Sequence, residues 1–279
     1  ILSRDPTNIE ALEWHVVHSA KLEQLQDTRN RLKQLLPAYL NHLYRTQPKG
    51  GKPDHASPSK QLLGALKKLN EAKDLEYEHL LAMAIIEYRG GRNDEASQYA
   101  TQALAIKNSA EACFVKGLAC IQISNIEAKT LLEEAYSKNS TEFGIFYALI
   151  TSISEVDSGE AIKRIQQELK VDHPWRDLMY WTLAQQHIKA GDYEAALEAF
   201  NSAHLAEPPA LYLDDLITCV HKLGHRKEAL GYTNKLLSMY GHIELGYVWR
   251  YRLFLEDRSL VEAEKVMKEI QIKVPHHPW

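Results

Sequence analysis

Only three cysteines occur among the 279 residues, no uninterrupted apolar run approaches membrane-spanning length, and the net charge is just −4. Each scarcity excludes something. So few thiols rule out a disulfide framework. Cys113 and Cys120 lie seven apart on one predicted helix, about 10 Å along its axis, too far to bridge without breaking it. With Cys219 left over, the odd count suits a reducing compartment, and all three read as small packing residues. Without about 20 consecutive apolar residues no membrane span is expected. Without a basic excess, neither is general nucleic-acid binding. The start, Ile1-Leu2-Ser3-Arg4-Asp5-Pro6, lacks the layout of a secretory leader, so the expected location is cytoplasmic, or periplasmic if a signal lies upstream.

Chemistry is equally scarce. There is no C-x-x-C and no H-E-x-x-H, so no metal site is expected. His276-His277 sits between prolines in the tail, where adjacent side chains rarely converge on one ion. Gly50-Gly51-Lys52 lacks the leading Gly, the following Ser or Thr, and the preceding strand of a phosphate loop. Asp214-Asp215 would be a carboxylate pair only if both pointed one way; on a helix they diverge by about 100° and are expected to face solvent. Asn139-Ser140-Thr141 matches the glycosylation sequon, a weak signal in a chain without a leader. No enzymatic activity and no cofactor are expected.

What the chain has instead is helical period. Residues 177–208 read as two amphipathic helices: Tyr180, Leu183, Ala184 and His187 mark the first, and Ala196, Phe200 and Ala203 the second. Gly191 supplies the turn between them, where a positive φ ends the first helix, and Pro208 stops the second. A large residue, Leu, a small residue, an aromatic, then Ala, Phe, Ala and Pro is a pattern that closely resembles the tetratricopeptide repeat. Such a unit cannot bury its faces alone and needs like neighbours.

The neighbours are there. Ala96, Ala128, Ala161, Ala196, Ala229 and Ala263 each open a second helix, with separations of 32, 33, 35, 33 and 34 residues. Gly91, Gly191 and Gly224 fall at the turns and Gly117 at the small position of a first helix. Two repeats depart from the pattern: Glu168 stands at a small position, and Thr233 and Leu236 replace the aromatic and Ala. The expected fold is all-α, a tetratricopeptide solenoid wound as a right-handed superhelix, with about six helix pairs within residues 59–279. Residues 1–6 read as the close of an upstream repeat. Residues 8–46 read as a degenerate repeat or another helical hairpin, with a kink at Pro37. Residues 47–58, with three prolines and two glycines, form a loop. An amphipathic helix from Ser59 to about Ala72 leads into the array; its lysines mark either a docking face or, more simply, a solvated one.

The resemblance implies a non-catalytic scaffold that holds a partner peptide or helix along its first helices. Register places Leu81, Phe114, Phe146, Trp181, Asp214 and Val248 on that face. One turn on come Ile85, Leu118, Ile150, Gln185, Thr218 and Arg252. Leu81, Phe114, Leu118, Phe146, Ile150, Trp181, Gln185, Asp214 and Arg252 are the candidate groove residues. Neither position carries the Lys and Asn with which related arrays clamp chaperone C-termini. The aromatic stripe either lines an open groove or packs, against neighbouring repeats or against the 59–72 helix folded into the groove. The expected partner is a protein or peptide, within a larger complex or as a homo-oligomer. The alternative role is an accessory subunit of an enzyme or of an envelope secretion or polymer-export machine.

Overall fold

The structure, a computed structural model of the chain, describes residues 8–21, 25–46, 62–64, 66, 67, 76–241 and 243–273. The expected upstream helix end (1–6), the loop 47–58 and the His276-His277 tail lie outside these. Every regular element among the described residues is helical. The chain divides into two compact units, residues 1–161 and 162–279.

Unit 1 begins with a hairpin of α1 (Ile9–Lys21) and α2 (Leu25–Thr46). Asn8 caps α1 by accepting the Ala11 N–H at 2.9 Å. α2 runs on through Pro37, whose side chain is exposed. Then follow α3 (Tyr77–Arg89), α4 (Asn93–Ile106), α5 (Ala110–Cys120), α6 (Asn125–Lys138) and α7 (Phe143–Ser154), each packed on the next. α8 (Ser158–Glu168) runs across the division. Unit 2 continues with α9 (Arg176–Ala190), α10 (Tyr193–Ser202), α11 (Ala210–Lys222), α12 (Arg226–Met239), α13 (Glu244–Glu256) and α14 (Leu260–Lys273), again packed in succession.

The local chemistry explains the pairs. Ser109, Ser124 and Asp192 each accept a backbone N–H three residues on, satisfying an otherwise orphaned donor at a helix start. The turns at Gly91, Gly191 and Gly224 have φ of 75, 80 and 79°, a region that costs other residues a steric clash. In the last pair Arg258 takes the same place, with φ 57°. The six Ala positions that set the register are buried throughout. Gly117 shows why size matters: a Cβ there would stand 2.7 Å from Leu132 Cγ. The departures are accommodated locally. Glu168 pairs with Arg164 at 3.2 Å and His173 at 3.4 Å, and the buried Thr233 hydroxyl donates to the Ala229 carbonyl at 2.8 Å.

The N-terminal hairpin does not stack as a preceding repeat. α2 lies across α3 and also across α7, helices that open repeats two apart. Its stripe of Leu32, Leu35, Leu36, Tyr39 and Leu43 is buried. Of the expected 59–72 helix, residues 62–64, 66 and 67 are described as helical. Leu62 and Leu66 are buried, and Lys67 Nζ lies 3.3 Å from the buried Glu87 carboxylate.

Candidate partner-binding faces

The first helices carry the candidate residues, and the two units use them differently. In unit 1, Leu81 and Ile85 on α3, Phe114 and Leu118 on α5, and Phe146 and Ile150 on α7 are all buried. Of the two readings left open for the aromatic stripe, the packed one holds here and the open groove is corrected, because this face is closed. α2 closes it. The Tyr44 ring lies 5.1 Å from Phe114, and a Cβ on Gly144 at the start of α7 would meet Tyr44 Cα at 2.5 Å. Only a residue with no side chain lets the α2 backbone pass so close. Phe146 is flanked by Tyr136 and Phe143, with centroids at 5.7 and 6.3 Å.

A buried polar cluster joins the hairpin to α3. The Tyr39 hydroxyl donates to Glu13 at 2.6 Å, Arg89 stands 3.7 Å from the same carboxylate, and the guanidinium lies 5.3 Å from the centre of the Tyr39 ring. Burial pushes the Glu13 carboxyl above its ordinary range, against the pull of Tyr39 and Arg89.

In unit 2 the corresponding face carries polar chemistry. The Trp181 indole N–H on α9 donates to Asp215 on α11 at 2.8 Å, and the Gln185 amide donates to the same oxygen at 2.8 Å. Trp249 on α13 donates its indole N–H to Asp214 at 2.5 Å. Adjacent residues diverge around a helix, so Asp215 turns to the preceding repeat and Asp214 to the following one. The expectation that both face solvent is overturned: both are half-buried. Burial raises each carboxyl above its usual range, and for Asp215 the neighbouring Asp214 charge adds to the rise. Asp215 has neutral donors, and Asp214 feels one cation, Arg252.

Around this centre, Arg252 is exposed and lies 4.9 Å from the centre of the Trp249 ring. His221 meets the edge of the same indole at 5.5 Å and Glu256 Oε2 at 2.8 Å. Leu255 is 41% exposed beside them. Trp181, by contrast, is 3% exposed and is a packing residue with one polar bond.

The sequence reading thus named Trp181, Gln185, Asp214 and Arg252 on a face that does bring them together. It missed Asp215, Trp249, His221 and Glu256. The signal was present: Trp181, Asp215 and Trp249 are spaced by 34, whereas stepping by 33 from Trp181 selects Asp214 instead. Among the described residues no group of three or more His, Cys, Asp or Glu stands where it could hold a metal ion.

No protein-family model matches the chain, and no curated protein matches it. Solved structures do. PilF of Pseudomonas aeruginosa superposes with a TM-score of 0.56 at 14% identity, over 72% of this chain and 93% of that one. The C-terminal part of a tetratricopeptide-repeat protein from Cytophaga hutchinsonii gives a TM-score of 0.54 at 14% identity, over 86% and 96%. The fold is that of the tetratricopeptide-repeat proteins. The Cut9–Hcn1 hetero-tetramer of the APC/C supplies a third match, with a TM-score of 0.56 at 15% identity, over 90% of this chain and 50% of the other.

Proposed function

We propose that the chain is a non-catalytic interaction scaffold whose unit 2 holds a partner segment along α9, α11 and α13. One observation carries the reading. Two adjacent, half-buried carboxylates lie on that surface, turned to opposite neighbours, and among the described residues Asp215 is held by neutral N–H donors. Keeping a charge half out of water without a counter-ion is costly, and such groups concentrate at working sites. The segment that answers this chemistry presents a Lys or Arg to Asp214 and Asp215 and an apolar side chain to Leu255. Gln185 and Arg252 border the path and offer hydrogen bonds to its backbone. The fold supports the reading, since Cut9, which shares it, occurs in a hetero-tetramer with Hcn1.

A cytoplasmic setting is part of the proposal, supported by three buried free thiols. The test is capture from the native proteome followed by mass spectrometry and affinity measurement on the captured partner. Asp214→Asn/Asp215→Asn should weaken binding by about tenfold or more while melting stays intact. Its salt dependence should also flatten. Unchanged affinity in that variant would refute the assignment of the face.

A further inference from the structure

We propose that unit 1 contains a second binding groove, distinct from the face of unit 2, which takes an amphipathic helix, and that α2 is its resident and exchangeable occupant. Three observations converge on this. First, α2 sits where a ligand would: it crosses α3 and α7, and its Tyr44 ring meets Phe114 on α5 between them. The buried stripe Leu32, Leu35, Leu36, Tyr39 and Leu43 follows the three-and-four spacing of a helix laid in a groove. Second, the receiving surface is shaped for a passing backbone. At Gly144 a Cβ would stand 2.5 Å from Tyr44 Cα and 2.8 Å from its carbonyl oxygen, a contact no rotamer change relieves.

Third, the polar part of the hairpin contact is incompletely satisfied: Arg89 also bonds and stacks on Tyr39, yet part of its guanidinium has no partner among the described residues. Glu13 and Arg89 are paired at 3.7 Å while both are largely buried, and the Arg89 Nε–H has no hydrogen-bond partner among the described residues. Buried ion pairs roughly break even against dehydration, and an unsatisfied donor is a net cost. Lifting the hairpin rehydrates that guanidinium and partly offsets the loss of apolar contact. A helix carrying the α2 pattern on another molecule would bury the same apolar face without that cost. Tethering gives α2 an advantage, since a linked segment competes at an effective concentration of about millimolar. A partner helix must therefore bind better, or arrive when α2 is released.

The probe is a fluorescent peptide of residues 25–46, followed by anisotropy. Leu35→Glu/Tyr39→Glu in the full chain places two charges in the tethered helix and should free the groove. This variant should bind the peptide about 100-fold or more tighter than the wild-type chain does. Adding Gly144→Val should abolish that binding while helix content stays constant, because the obstruction now meets the incoming backbone. In parallel, a protease site inserted after Lys52 allows the hairpin to be cut from an otherwise native chain. Excess labelled peptide should then replace it within hours. Loss of the helices of unit 1 in the double variant, or a cut hairpin that never exchanges, would show α2 to be a permanent part of the core and overturn the proposal.

Discussion

The face formed by the first helices does opposite work in the two units. In unit 1 it carries Leu81, Phe114 and Phe146, side chains that gain by leaving water, and α2 covers them. In unit 2 it carries Trp181, Asp214, Asp215 and Trp249, whose indole N–H groups and carboxylates answer one another. An apolar face must be covered by something, and this chain covers its own. A face with half-buried charge cannot be covered by an apolar helix without stranding that charge, which is why the proposed partner is a polar one. One backbone plan thus yields an apolar face that is covered and a polar one, by changing one or two residues per repeat.

Truncations give the sharpest contrast. Phe114→Ala should cost about 3–5 kcal/mol in denaturant unfolding, because it empties a packed site. Trp181→Ala belongs with it, at about 3–5 kcal/mol, since Trp181 is buried and anchors Asp215. Arg252→Ala, at an exposed position, should stay within about 0.5 kcal/mol yet weaken partner binding. A stability loss at Arg252 equal to that at Phe114 would erase the distinction between the faces.

A smaller effect separates them by pH. The Asp214 and Asp215 carboxyls titrate above their unfolded value of about 3.9. The folded state therefore takes up protons first as the pH falls. Unit 2 should gain stability as the pH drops through the folded values, with no further gain below about 4, where the unfolded chain is protonated too. Melting followed by tryptophan fluorescence should show this gain, and Asp214→Asn/Asp215→Asn should remove it. A wild-type curve that shows no gain over the double Asn variant as the pH falls towards about 4 would contradict the assignment.

The smallest effects test where the units are alike. Gly91→Ala in unit 1 and Gly191→Ala in unit 2 force the same positive φ on a side chain and should each cost about 1–2 kcal/mol. Arg258→Gly relieves that strain but loosens the unfolded chain, so its net change should lie within about 0.5 kcal/mol. Unequal costs at the two glycines would mean that the units differ in their turns as well as their faces.

The contrast also shows where sequence stops speaking. Helix pairs were legible because Ala96 through Ala263 recur at helix-crossing positions and glycines mark the turns. Period tells which side of a helix is buried but not against what. The stripe of α2 is apolar, yet nothing local says that it lies on α3 and α7 rather than on a preceding repeat. Spacing likewise placed Trp181, Gln185, Asp214 and Arg252 on one face. Register steps of 33 and 34 lead from Trp181 to Asp214 and Val248 and pass over Asp215 and Trp249, because the pairs that meet in space are 34 and 35 apart.

The alternation of indole, carboxylate and indole along unit 2 bears on how the repeats find their order during folding. Similar repeats invite docking errors, since each exposes nearly the same surface and a skipped neighbour still buries apolar area. Here a skip brings Trp181 against Trp249, two N–H donors with no acceptor, while Asp214 and Asp215 are left without their indoles. The correct sequence of repeats gives both indole N–H groups an acceptor. The doubled aspartate, one side chain for the repeat behind and one for the repeat ahead, therefore makes a skipped neighbour costlier than the native one.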